Sequence, residues 1–176
     1  MKEGPGSTMN QDRFQAWMNL LQAHAVITTR IENELETSCG LSLAEHQVLV
    51  RLAGSVERRF RMYDLADVLL LSKSGTTRLV DRLEKRGLVT RLLCEGDRRV
   101  VFAALSSAGE RAVEEAHSIL ASAIERSFSR HLSDEDIATL RGSLRRLLEG
   151  NEAWADHRCS PSYPARAAPS RRAGSS

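Results

Sequence analysis

Between Arg61 and Ser106 the chain changes from helical apolar spacing to runs rich in β-forming residues, and Gly87 stands at the change. Leu65, Val68 and Leu69 give a short apolar stripe over 64–70. Leu79, Val80 and Leu83 give a second stripe, in a helix over 72–86 with Ser72 and Ser74 as capping residues and Gly87 as its stop. Beyond Gly87, residues 88–94 and 100–105 are rich in β-formers, and Glu95-Gly96-Asp97 between them is turn chemistry. The segment predicts a helix, a turn, a second helix and a β-hairpin with Arg98 and Arg99 near its tip.

On either side the pattern is helical. Phe14, Trp17, Met18, Leu21, Ala25, Thr28, Ile31 and Leu35 recur at spacings of three and four, and no Gly or Pro interrupts them before Gly40. This stripe is broader than one small domain covers, so part of it is expected to face a partner chain. Ser42-Leu43-Ala44-Glu45 has the spacing of a capping box and opens a helix whose buried face is Val48, Leu49 and Leu52. Arg58 to Met62 alternates, as a short strand or an extended approach would. Ser106 opens a second long helix to about His131, and Ser133 caps a last one carrying Ile137, Leu140, Leu144, Leu147 and Leu148, ended by Gly150. Residues 1–10 read as a flexible leader. Residues 151–176, rich in Pro, Ala, Ser and Arg, read as a disordered tail.

Composition narrows the function classes. The net charge of +2 conceals an asymmetry: residues 51–100 carry a net +5, against −3 for 1–50, −2 for 101–150 and +2 for the rest. The basic excess lies on the helix-turn-helix and hairpin, as a polyanionic partner requires, a solvated charged face being the alternative. Cys39, Cys94 and Cys159 are too few and too scattered for a disulfide framework or a structural zinc site. No apolar run spans a bilayer and no secretory signal is evident, so the expected location is cytoplasmic. No phosphate loop, paired metal-binding histidines or nucleophile elbow is present, so no enzyme activity, metal or cofactor is expected.

A DNA major groove admits one α-helix. The N-terminal part of the helix at 72–86 carries short hydrogen-bonding groups and cations: Ser72, Lys73, Ser74, Thr76, Thr77 and Arg78, with Arg82 a turn later. Ser and Thr contact phosphates or base edges, and arginine pairs with guanine through two bonds. Arg98 and Arg99 are placed to reach the backbone or the minor groove.

The residues here resemble the MarR-type transcription regulators. Asp64-Leu65-Ala66 through Arg91 is similar to the family's helix-turn-helix, including Leu79-Val80-Asp81-Arg82-Leu83-Glu84-Lys85-Arg86-Gly87-Leu88-Val89. Asp97-Arg98-Arg99 followed by Leu105-Ser106 resembles its wing signature, with Ser106 where Thr is commoner. The resemblance implies a mainly α fold with a small β-hairpin wing, a winged helix-turn-helix between long N- and C-terminal dimerisation helices. The division is then a leader at 1–10, a dimerisation helix at 11–40, the DNA-binding domain at 41–105, dimerisation helices at 106–150 and the tail at 151–176.

The implied function is a homodimeric regulator, expected to repress, that binds a pseudo-palindromic double-stranded operator through recognition helix 72–86 and wing 89–105. In the family's pattern Arg78 matches a base- or phosphate-contacting arginine, Arg99 the wing arginine, and Asp97 the residue that orients it by an ion pair. Many members bind small aromatic or phenolic effectors; candidate lining residues here are Trp17, His24, His46 and Arg51, each with an ordinary packing role as the alternative. The cysteine near the start of the first helix that some relatives use to sense peroxides is absent. A winged helix used only for protein–protein contact and a ligand-independent DNA-binding protein are the competing readings.

Overall fold

In the computed structural model, residues 10–151 are described apart from 56, 95 and 98. Residues 1–9 of the leader, the tail from residue 152 and Arg98 therefore fall outside the described residues, while Asn10, read as part of the leader, caps α1. Among the described residues six α-helices and three strands follow in the order α1 (Gln11–Cys39), α2 (Leu43–Gly54), β1 (Arg59–Arg61), α3 (Met62–Val68), α4 (Lys73–Lys85), β2 (Val89–Leu93), β3 (Val101–Leu105), α5 (Ser107–Ser127) and α6 (Asp134–Gly150). A single 3-10 turn, Ser129–His131, separates the last two helices. The strands form an antiparallel sheet in the order β1-β3-β2, with Phe60 opposite Ala103 and Arg91 opposite the same residue from the other side.

The core is built from the apolar faces expected of each element. Val48, Leu49 and Leu52 of α2, Leu65 of α3, Leu79, Val80 and Leu83 of α4, Val89 of β2 and Val113 and Ala116 of α5 pack into one cluster with Ile31, Leu35 and Leu41. Gly109 lies where the first turn of α5 crosses the start of β2. A Cβ there would stand 2.2 Å from the Leu88 carbonyl oxygen and 2.6 Å from the Leu105 side chain, so only glycine admits this approach.

Two long stretches take almost no part in that core. Residues 11–26 of α1 are exposed throughout, including Phe14, Trp17, Met18 and Leu21. No residue of α6 is buried. The surplus apolar stripe read in the sequence thus lies uncovered on the single chain.

Three boundaries differ from expectation. The helix after Ser106 stops at Ser127 rather than continuing to His131, because the chain tightens into the 3-10 turn. The helix expected over 64–70 starts at Met62 and ends at Val68. Its end is a Schellman motif: the Leu70 N–H donates to Asp67 O and the Leu71 N–H to Ala66 O, each at 3.1 Å. Leu70 therefore adopts a left-handed φ of 54°, a conformation that costs a residue with a Cβ about 1–2 kcal/mol. Helix α4 ends with the same pair of bonds, from Gly87 to Glu84 and Leu88 to Leu83, but with glycine at the left-handed position, φ 71°. The turn between α3 and α4 is the strained member of the pair.

His46 is buried in α2. Burial, with a smaller contribution from the charge of His117, lowers its pKa from 6.5 to about 4. A buried histidine held neutral stabilises the fold fully above the unfolded value of 6.5, and that contribution is lost as the pH falls toward 4. Urea unfolding between pH 7 and pH 4 is expected to show a decline of up to roughly 3 kcal/mol from this group. His46→Leu should flatten that decline; an unchanged slope in the variant would assign it to other groups.

Candidate nucleic-acid interface

Glu45 fixes the orientation of α4. Its carboxylate first completes the capping box, accepting from the Ser42 N–H at 3.1 Å while the Ser42 hydroxyl accepts from the Glu45 N–H at 3.2 Å. It then accepts from Arg82 Nε of α4 at 3.0 Å and from Nη1 of Arg86, the C-cap of α4, at 3.3 Å. Arg86 also donates to the Gly40 carbonyl at 2.9 Å, where α1 ends. Burial raises the Glu45 carboxyl, but the Ser42 N–H and the two guanidinium groups outweigh it and hold the pKa below the ordinary value. The ends of α1 and α4 and the start of α2 thus meet at one carboxylate.

Arg91 of β2 performs the corresponding task for the hairpin. Its guanidinium bridges Asp81 at 2.6 Å and Glu84 at 2.5 Å, both on α4, and its backbone N–H donates to Glu84 at 3.2 Å. Ser106 closes the far end, donating to the Gly87 carbonyl at 2.6 Å and accepting from the Gly109 N–H at 3.0 Å. None of these roles was expected of Arg86 and Arg91. The signal available was spacing: Asp81, Glu84 and Arg91 bracket Gly87 closely enough for a strand leaving the helix to fold back on it.

With α4 so held, Ser72, Lys73, Ser74, Thr77, Arg78 and Arg82 are exposed along it. Ser72 is the N-cap, its hydroxyl accepting from Gly75 N–H at 3.0 Å. Lys73 Nζ sits over the Tyr63 ring, 4.7 Å from its centroid. The Thr77 hydroxyl donates to the Lys73 carbonyl at 2.9 Å, leaving its oxygen able to accept. Arg78 makes no ion pair among the described residues.

The expectation for Thr76 is overturned. It is fully buried, and its hydroxyl has no hydrogen-bond partner among the described residues. Thr76, Leu79, Val80 and Leu83 stand at i, i+3, i+4 and i+7, so Thr76 belongs to the core face. Arg82 is exposed but its Nε is engaged by Glu45, so a large part of its task is to anchor α4. Asp97 does not form the ion pair expected with Arg99. Its carboxylate accepts the Arg99 backbone N–H at 3.0 Å, which shapes the turn and leaves the guanidinium exposed.

An open cleft of roughly 730 Å³ lies between α4, the start of α3 and the hairpin, with Arg61, Tyr63, Thr77 and Arg99 in its wall. None of the four candidate effector residues lines it. Trp17 and His24 are on the exposed half of α1, His46 is buried, and Arg51 is half-buried in α2. Among the described residues no cluster of His, Cys, Asp and Glu could hold a metal ion, and no helix is long and apolar enough to cross a membrane.

The geometry separates core from surface within one helix, and this is testable. Thr76→Val removes the unpaired hydroxyl at constant shape and is expected to leave stability unchanged or raised by about 1 kcal/mol, with DNA affinity unaltered. A fall in DNA affinity at unchanged melting temperature would return Thr76 to the contact surface.

Residues 40–100 match the model of the MarR family. The chain is 27% identical over 121 residues to the multiple antibiotic resistance protein MarR of Escherichia coli, covering 68% of this chain and 81% of that one. Among solved structures it is similar to AbsC, a MarR family transcriptional regulator from Streptomyces coelicolor, with a TM-score of 0.76 and 29% identity over 83% of this chain and 98% of AbsC. It is also similar to Sco3205, a MarR family regulator of the same organism solved in complex with DNA, with a TM-score of 0.78 and 26% identity over 85% and 92% of the two chains. Over residues 40–100 and over most of the fold, the chain is thus similar to the MarR family of winged-helix transcriptional regulators.

Proposed function

We propose that the protein acts in the cytoplasm as a homodimeric repressor on a pseudo-palindromic operator. The observation that carries this reading is the exposed row Lys73, Ser74, Thr77 and Arg78 on α4, opposite the buried Leu79, Val80 and Leu83 and beside Arg99 of the wing. In this reading 72–86 enters the major groove, where Arg78 faces a base edge or a phosphate, and 89–105 lies along the neighbouring minor groove with Arg99 at its tip.

The dimer rests on the uncovered apolar faces. Trp17 is 54% exposed and Leu147 of α6 53% exposed, and a second copy supplies the cover that the single chain lacks. Two recognition helices related by a two-fold axis then meet half-sites about one helical turn apart. A small aromatic effector is a finer part of the proposal: Trp17 and His24 lie on the face that dimerisation covers, so a site using them is complete only in the dimer.

Selection of bound genomic fragments with the purified protein tests the reading. An enriched palindrome is expected, with Arg78→Ala losing about 1–3 kcal/mol on it and less on random duplex if the arginine pairs with a base. No enrichment from a folded dimer would favour the protein-contact module instead.

A further inference from the structure

Helix α3 breaks a local rule that the other helices keep. A side chain caps the N-terminus of each of the other five: Asn10, Ser42, Ser72, Ser106 and Ser133. At α3 that position is Arg61, whose side chain makes no capping bond. A Ser, Thr, Asp or Asn there would stabilise the helix by about 1 kcal/mol. A locally unfavourable choice at an exposed position points to a use elsewhere.

Its surroundings indicate that use. Arg59 and Arg61 both lie over the Phe102 ring, at 4.9 and 5.9 Å from its centroid. Arg59 is neutralised by Glu57 at 2.6 Å, whereas Arg61 makes no ion pair among the described residues. Arg61 opens onto the cleft between α4 and the wing, whose wall also holds Thr77 and Arg99. Two carboxylates stand there as well. Asp81 is bound to Arg91, and Asp64 lines the same cleft as Arg61 and Arg99. Tyr63, two residues after Arg61 and 65% exposed, also lines the cleft, and Lys73 rests on its ring.

We propose that Arg61 is a contact to the DNA backbone, and that Arg61 and Lys73 form a pair of cations seated on Phe102 and Tyr63 that grips phosphates between the recognition helix and the wing. The aromatic faces hold each cation in place without neutralising it, which lowers the ordering cost of the contact while leaving the charge available. A phosphate contact of this kind is independent of base sequence and releases counterions. The proposal rests on the DNA-binding reading and adds Arg61 and the positioning residue Tyr63 to it.

Salt titrations of full-length protein on a random-sequence duplex test it, with thermal melts of every variant as the folding control. Arg61→Ala is expected to make the plot of log affinity against log salt shallower by about one unit per bound protomer. Affinity at low salt should fall about tenfold on random and operator DNA alike. Arg59→Ala should leave the slope unchanged. Tyr63→Phe, which keeps the ring, should match the wild type, while Tyr63→Ala should weaken binding and add nothing to Lys73→Ala. An unchanged slope in Arg61→Ala, or an equal change in Arg59→Ala, overturns the Arg61 contact. Wild-type binding by Tyr63→Ala overturns the seating role. A wild-type protein that binds no duplex at all would instead remove the DNA-binding reading beneath both.

Discussion

The arrangement depends on one buried carboxylate. Glu45 completes the cap of α2 and simultaneously binds Arg82 of α4 and Arg86 at its C-cap, while Arg86 reaches the last turn of α1 at Gly40. Three helices are thereby held in one orientation at this corner. A carboxylate on a residue only 6% exposed is expensive to bury, and it is tolerated because three donors surround it, the Ser42 N–H, Arg82 Nε and Arg86 Nη1. The two arginines remain partly in water, so the network costs less than a fully buried ion pair would.

The net positive charge of residues 51–100 divides into two populations. Arg82, Arg86 and Arg91 are bound to Glu45, Asp81 and Glu84 and hold the recognition helix against α2 and the wing. Arg61, Arg78 and Arg99 make no ion pair among the described residues and lie on the surface that carries Lys73 and Thr77. Bound arginines place the free ones. In the proposed binding mode the bound arginines fix the backbone positions from which the free ones reach a polyanion, which limits the freedom lost on contact. The cap residues contribute in the same way: Ser72 starts α4 and Ser106 ties α5 to its end, which limits rocking of the reader on the core.

The elements were legible in the sequence because their periods and punctuation agree. Ser42 with Glu45, Ser72 with Gly87, and Ser133 with Gly150 marked helix ends within a residue or two of where they fall. Residues whose roles depend on tertiary contact were less legible. Thr76 shares the chemistry of its exposed neighbours, yet its place in the 3.6-residue period puts it in the core. The end of α3 was hidden because Leu70, not glycine, takes the left-handed conformation. Asp97 had the right position and the wrong partner, since a short carboxylate reaches the backbone N–H two residues on before it reaches a guanidinium. Arg61 was visible as a cation but not as a contact, because the pairing of Arg59 and the ring of Phe102 come together only when β1 lies against β3.

The Glu45 network holds α4 in the orientation that presents its exposed row, so Glu45→Gln is the decisive variant. It removes the charge and keeps most of the shape. Its stability is expected to fall by roughly 1–3 kcal/mol, the cost of weakening the bonds to Arg82 and Arg86 in a partly screened setting. The measurement is the ratio of operator to random-duplex affinity, taken at one salt concentration and at a temperature where the variant is fully folded. A ratio that collapses toward one, with random-duplex binding largely kept, is the result the account requires. A folded Glu45→Gln protein with the wild-type ratio would show that the recognition row holds its place without the carboxylate, and would contradict it.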